Sequence, residues 1–342
     1  MAQFDTWLPE GGHAKLFTIR GGGLEARIMD YGATLVSLFV PDREGELADV
    51  VLGYDRAWDY AVNNSNLGAT VGRNANRVGG AKFLLSGEEV HLTPNDHEVN
   101  NLHSGPDIYN HRPWQAEQVT ESSITLYQLS PHGDQGFPGN AHIRVTYALE
   151  DGGVLHITYD AVSDRNTVFN MTNHSYFNLA GHDKPQKAMQ QLLWLAAERF
   201  TPADADSIPT GQLRFVDGTP MDFRTEKPIG RDIEQDYDAL KLQQGYDHNF
   251  EVTQNPCARL KDPASGRVME VSTDLPGIQF YSGNYLDKMG KDGVHYTRRG
   301  AVCLETQFFP DAVNKPQWAQ PFVKAGQHWH SETVYRFYTD KK

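Results

Sequence analysis

The chain has 342 residues, with 31 Lys+Arg against 44 Asp+Glu and a formal net charge of -13 at pH 7. Its 39% hydrophobic and 22% charged residues are the composition of a chain that buries a core, which excludes wholesale disorder. The acidic balance disfavours nucleic acid or an anionic membrane as partner, because both need a basic field, and it weighs against a strongly phosphorylated substrate.

Taken in chain order, residues 1–12 lack the basic and apolar regions of a signal peptide. No later stretch approaches the ~18 apolar residues that span a bilayer, so a cytoplasmic chain without membrane contact is expected. Strand-like texture covers 24–29 and 34–40 and stops at the turn cluster Pro41-Asp42-Arg43-Glu44-Gly45. A short helix is predicted over 56–60. The apolar run 67–71 leads into Gly72-Arg73-Asn74-Ala75-Asn76-Arg77, a polar stretch that a plain β-domain does not need. After a strand at 82–85 and the turn Ser86-Gly87-Glu88-Glu89 comes a polar loop, Asn100-Asn101-Leu102-His103-Ser104-Gly105.

The strongest pattern follows a strand at 124–129. Ile143, Val145, Tyr147 and Leu149 share one face, with His142, Arg144 and Thr146 on the other. Asp151-Gly152-Gly153 turns the chain, and Leu155, Ile157, Tyr159 and Ala161 alternate again. That is a hairpin with one buried face. A strand at 167–172 runs into Thr172-Asn173-His174-Ser175-Tyr176-Phe177-Asn178. Short helices are predicted at 185–190 and 229–234, a turn at Asp262-Pro263-Ala264-Ser265-Gly266, and strands at 277–281, 301–306 and 333–338. In the segment 301–306, alternation puts Ala301, Cys303 and Glu305 on one face and Val302, Leu304 and Thr306 on the other.

The 31 glycines and 18 prolines are spread along the chain, and no fixed-period repeat or low-complexity tract occurs. Many strands with few helices predict one all-β domain over 1–342, a large antiparallel sandwich with a few short helices. The two cysteines, Cys257 and Cys303, are too few for a disulfide framework and lack metal-ligand spacing, which fits a reducing compartment. Gly21-Gly22-Gly23 precedes a strand and lacks the P-loop Lys-Ser/Thr. There is no G-x-S-x-G elbow and no H-E-x-x-H pair. What remains is acid–base chemistry by Glu and His, with no metal and no cofactor expected.

Each candidate has a bland reading. Arginines in turns are usually solvated or salt-bridged, and a lone histidine such as His103 or His174 is more often a hydrogen-bonded structural residue. Glu305 differs, since a carboxylate inside an apolar strand either faces solvent or is held in a pocket. Its small apolar neighbours on the same face favour the pocket.

Together these segments resemble the aldose 1-epimerase (galactose mutarotase) family over nearly the whole chain. The shared motifs are G-A-T-L-V-S-L at 32–38, G-R-N-A-N-R at 72–77, N-N-L-H-S-G at 100–105, and T-N-H-S-Y-F-N-L at 172–179. Tyr246-Asp247-His248, G-I-Q-F-Y-S-G-N at 277–284 and L-E-T-Q at 304–307 complete the set. The resemblance implies a β-supersandwich and the interconversion of α and β anomers of free aldoses such as galactose and glucose, without cofactor. By likeness, Glu305 matches the general base, His174 the general acid and His103 a second histidine near the ring oxygen. Asn76, Arg77, Asp247 and Gln279 match sugar-binding positions, and Tyr176 lies in a substrate-contacting segment. Arg77, rather than Arg73, takes the family's binding position. The chain departs from the family pattern at Asn74, where an apolar residue is common, and at Ser104, where glycine is common.

The reaction explains the residue types. Ring opening of a cyclic hemiacetal removes a proton from the anomeric hydroxyl and delivers one to the ring oxygen, so it asks for an ionised Glu305 and a His174 that holds a proton near its unperturbed ~6.5. Tyr176, Phe280 and Tyr281 are candidates for an aromatic face, with core packing an equal reading. The rival readings are a glycosidase using Asp247 and Glu305, a sugar-phosphate mutarotase and a non-catalytic sugar binder. The expected partner is a free aldose, and monomer or homodimer is left open.

Overall fold

A computed structural model describes residues 4–63 and 65–340. The predicted hairpin forms its centre: Ala141–Glu150 pairs antiparallel with Val154–Ser163, and the residues assigned inward, from Ile143 to Ala161, are buried. Around it grows a nine-stranded antiparallel sheet. Its order is Gln115–Val119, Ser123–Ser130, Ala141–Glu150, Val154–Ser163, Trp329–Thr339, Arg267–Thr273, Ala258–Lys261, Leu192–Leu195 and Lys227–Pro228. A six-stranded sheet runs in the order Tyr176–Phe177, Val302–Gln307, Gly277–Tyr281, Asp247–Glu251, Arg199–Phe200 and Arg214–Phe215. A four-stranded sheet contains Leu16–Gly21, Leu24–Met29, Thr34–Pro41 and Leu47–Asp49.

The two larger sheets face each other across one core. Val145, Tyr159 and Tyr335 from the nine-stranded sheet join Phe177, Phe250, Phe280, Val302 and Leu304 from the six-stranded one in a single cluster reaching from Ile19 to Phe337. Phe177 packs on Tyr335 with ring centroids 5.3 Å apart, and Tyr335 Oη donates to Leu304 O across the interface. Removing such apolar area from water contributes about 25 cal/mol per Å². The sandwich prediction therefore holds, and it fixes what happens on the opposite face of the six-stranded sheet. In Val302–Gln307 every residue is buried. Val302 and Leu304 point into the core, so Cys303 and Glu305 point away from it.

The predicted strands at 24–29, 82–85 and 277–281 appear with those bounds. The strand expected over 167–172 is instead two pieces, Thr167–Val168 and Thr172–His174. Between them Phe169 and Asn170 give their N–H groups to Pro321 O and Arg73 O, so loop contacts replace the ladder. The helix Ala57–Val62 and the 3₁₀ turns Pro185–Gln190 and Ile229–Arg231 match expectation, the last one shortened. The helix Asp238–Gln243 was not anticipated.

Candidate active site

Glu305 sits opposite Gln279 in the ladder between Val302–Gln307 and Gly277–Tyr281, and Gln279 is in turn opposite Asn249 of Asp247–Glu251. This three-strand register fixes one polar row. Gln307 Nε2 donates to Gln279 Oε1 at 3.0 Å, which sets the amide so that Gln279 Nε2 donates to Asp247 Oδ1 at 2.7 Å. Asp247 is carried by the alternation of its strand. Tyr246 is in the core, and His248 Nδ1, on the far side, accepts the Asp247 N–H at 3.0 Å.

His174 arrives from a different layer. Its strand Thr172–His174 pairs with Ala69–Val71, and His174 O accepts the Gly68 N–H. Gly68 has φ +68, and a Cβ there would lie 2.0 Å from Leu35 O, so the close approach to the four-stranded sheet requires glycine. Asn173 locks the segment: its Nδ2 donates to Gly68 O and Tyr147 Oη, and its Oδ1 accepts from Ser175 N and Oγ. The His174 ring stacks on Tyr176 with centroids 5.0 Å apart and meets His103 edge-on at 5.6 Å.

His103 and Asn76 hold each other. The Asn76 N–H donates to His103 Nδ1 at 3.1 Å and the His103 N–H donates to Asn76 O, both residues having positive φ. With Nδ1 accepting, the neutral ring carries its proton on Nε2. Arg77 Nε pairs with Asp96 Oδ2 at 2.9 Å. The two departures from the family pattern turn out to be one feature, because the Asn74 N–H donates to Ser104 Oγ and Ser104 Oγ donates to Asn74 O.

These elements enclose a cavity of about 320 Å³, at the small end of the roughly 300–1,000 Å³ typical of ligand sites. Asn76, Arg77, His103, His174, Tyr176, Asp247, Gln279 and Glu305 all line it, so the structure brings together the eight residues that the family resemblance assigned. Glu305 Oε1 lies 3.8 Å from His174 Nε2. Arg73 is not there. It is fully buried elsewhere, its η nitrogens donating to Pro138 O, Gly139 O, Thr167 Oγ and Ser130. Of the aromatic candidates, Tyr176 and Tyr281 line the cavity, whereas Phe280 points into the core against Tyr246. Tyr285 and Lys288 at the rim went unnoticed in the sequence, and so did the contact of Cys303 Sγ with His174 Nδ1 at 3.5 Å. The alternation that put Cys303 on the Glu305 face was the available signal for that contact.

Protonation departs from what the reaction was expected to ask of the free site. Burial, then the like charge of Asp247, pushes the Glu305 carboxyl well above the usual carboxylate range. Burial pushes His174 down to about 4 and His103 well below its ordinary value. Asp247 is raised by burial, against the opposing pull of Arg77 and the Gln279 hydrogen bond. The cause named first for all four is burial, and no cation touches Glu305 among the described residues. Burial thus disfavours the charged form of both groups, and a proton held by the unliganded pair is favoured on Glu305 over His174.

Comparison with known proteins gives one answer. The family model of aldose 1-epimerase matches residues 15–336. A galactose mutarotase from Mus musculus is 39% identical over 333 residues, covering 96% of this chain and 95% of its own. A solved GalM/aldose epimerase homologue from C. elegans superposes with a TM-score of 0.89 at 30% identity, covering 96% of this chain and 100% of that one. A galactose 1-epimerase structure from Lactobacillus acidophilus gives 0.85 at 26% identity, with 96% of each chain covered.

Proposed function

The chain belongs to the aldose 1-epimerase family, and from that premise we propose that Glu305 is the base and His174 the acid that open and reclose the sugar ring. The activity itself is the family's: an isomerase that interconverts the α and β anomers of a free aldose. Glu305 takes the proton of the anomeric hydroxyl while His174 gives one to the ring oxygen. The bond between the anomeric carbon and the ring oxygen breaks and leaves a carbonyl. Rotation about the adjacent carbon–carbon bond and closure on the other face return both protons. The pair ends with the single proton it began with.

The observation that carries this reading is the 3.8 Å approach of Glu305 Oε1 to His174 Nε2 inside one cavity. A carboxylate and an imidazole so close flank adjacent oxygens of one sugar, and each positioned group is worth typically ~10²–10⁴-fold. The distribution with Glu305 ionised and His174 protonated has the same proton count as the one with the proton on Glu305. Sugar hydroxyls donating to Glu305 favour it, since they restore to the carboxylate the hydrogen bonds that burial removed. His103 offers Nε2–H as a neutral donor beside the ring oxygen. Asn76, Arg77, Asp247 and Gln279 hold the remaining hydroxyls, with Tyr176 and Tyr281 against the sugar's apolar face. Galactose and glucose are the aldoses proposed. The core running from Ile19 to Phe337 supports one domain over 1–342, and two buried free thiols support a cytoplasmic setting. No helix of the described residues is long and apolar enough to cross a membrane.

The test is Glu305→Gln, assayed with freshly dissolved α-galactose by optical rotation. Mutarotation should be abolished while sugar binding, read by calorimetry, survives. His174→Asn should also slow the reaction severely. A near-full rate in Glu305→Gln would remove the proposed base.

A further inference from the structure

One buried group among the acid–base residues has no part in ring opening. Cys303 is wholly buried, faces the same way as Glu305 and places Sγ 3.5 Å from His174 Nδ1. One imidazole nitrogen, this sulfur and one carboxylate oxygen of Glu305 all lie within 4.8 Å of one another. The other cysteine, Cys257, is not part of this group and gives its thiol hydrogen to Val271 O.

We propose that the catalytic centre is also a binding site for a divalent d-block cation of the zinc type, held by His174, Cys303 and Glu305, and that such a cation inhibits the enzyme by taking the place of the sugar's reacting end. The inhibitory consequence rests on the acid–base reading above; the binding does not. A tetrahedral zinc with bonds of ~2.0–2.3 Å needs donors about 3.3–3.8 Å apart. The sulfur stands 3.5 Å from Nδ1 and the carboxylate 3.8 Å from Nε2 of the same ring, and with one nitrogen chosen as ligand all three donor atoms lie within 4.8 Å of one another, so that spacing is reached by contraction of the cluster around the ion. One ring nitrogen ligates, and a small rotation of the thiol or carboxylate brings the third donor in.

Charge and softness select the ion. Asp247 lines the same cavity as Glu305, and Arg77, whose charge acts on Asp247, already pairs with Asp96. A divalent cation relieves that excess of acidic groups. The mixed nitrogen, sulfur and oxygen set suits zinc and cobalt, whereas magnesium and calcium prefer all-oxygen shells. The fourth position opens on the cavity and would take water, so that ion and sugar exclude each other. Tyr176, stacked on the imidazole, holds the ring in place for the ion as it does for the sugar. On binding, the Cys303 thiol and any protonated Glu305 carboxyl lose their protons to solvent.

The experiment titrates the protein with cobalt(II) chloride without sugar and follows the near-ultraviolet thiolate-to-cobalt charge-transfer band. The band should appear in the native protein and in Cys257→Ser, and vanish in Cys303→Ser and Cys303→Ala. Zinc chloride alone should raise the apparent KM for α-galactose with kcat retained, reversibly by EDTA. Loss of an outer metal partner already costs about 10–100-fold in affinity, so the zinc inhibition constant should rise at least about tenfold in Cys303→Ser. No cobalt band, a band that persists in both Cys303 variants, or zinc inhibition undiminished in them overturns the site. Cobalt bound through Cys303 with mutarotation untouched leaves the site standing and sinks the acid–base reading instead.

Discussion

Two buried carboxylates, Asp49 and Glu305, lie in the same protein under opposite conditions. Asp49 Oδ1 accepts the N–H groups of Leu38 and Val51, and Oδ2 accepts from Lys291 Nζ at 2.6 Å. That ammonium also donates to Val36 O and Val51 O, each at 2.8 Å. Glu305 has no hydrogen-bond partner among the described residues, only the imidazole of His174 at 3.8 Å and an open cavity. A buried charge whose lone pairs and protons are all matched belongs to the scaffold. One left unmatched beside a cavity is held ready for a ligand to complete.

Exchanging the charge at each place makes the contrast measurable. Glu305→Gln should lower kcat by about 10²–10⁴-fold or more with no loss of thermal stability, because it keeps the shape of a side chain whose charged form burial and Asp247 already disfavour. Calorimetric unfolding beside polarimetry reads both. Lys291→Met should do the reverse. It strands Asp49 as an unpaired buried charge and should cost about 3–5 kcal/mol of stability, while kcat per folded molecule stays unchanged. Adding Asp49→Asn should restore much of that loss, since the double variant has no stranded charge. A Lys291→Met protein of native stability would erase the distinction between the two sites.

The two regions also differ in how far the sequence exposes them. Glu305 is legible because alternation puts a carboxylate in an apolar strand beside small neighbours, and adjacent strands in a sheet keep that face. The Asp49–Lys291 pair is not, since its members are 242 residues apart and neither sits in an unusual local pattern. The same distance hides the role of Arg73. Within Gly72-Arg73-Asn74-Ala75-Asn76-Arg77 nothing local separates the two arginines, and the carbonyls that capture Arg73 come from Ser130, Pro138 and Gly139. Hairpins and their inward faces follow from period-two alternation, whereas the interruption at 169–171 depends on a distant loop at Pro321. The helix Asp238–Gln243 carried readable signals, an acidic first turn and good helix formers, but at six residues its period was too short to register.

A smaller effect tests whether the row beside Glu305 binds or reacts. Asp247 accepts from Gln279 and faces the cavity, so Asp247→Asn removes a charged acceptor worth about 1.5–3 kcal/mol in a hydrogen bond. The KM for galactose should rise by roughly tenfold or more with a lesser fall in kcat. A loss confined to kcat would move Asp247 into the proton-transfer machinery and bring back the two-carboxylate reading.

The last comparison is between the two members of the pair, and pH reads it. Activity requires one proton on the two groups together. His174 is lowered to about 4, so a second proton adds only as pH falls toward that value, and the acid limb of kcat/KM belongs near there. Glu305 is raised by burial and Asp247, so the last proton leaves, and the basic limb begins, above the ordinary carboxylate range. An unperturbed histidine would place an acid limb at ~6.5; here the acid limb should lie well below that pH. The same shift has a stability sign. The folded chain refuses a proton on His174 that the unfolded chain accepts below ~6.5, so this contribution is complete above that pH and is lost as pH falls toward 4. Glu305→Gln should relieve neither the lowered His174 nor its acid limb in stability, because desolvation causes that shift, but it should abolish the basic limb of whatever residual activity remains. A basic limb that survives the substitution would assign the titration to another group and show that burial does not keep the proton on Glu305.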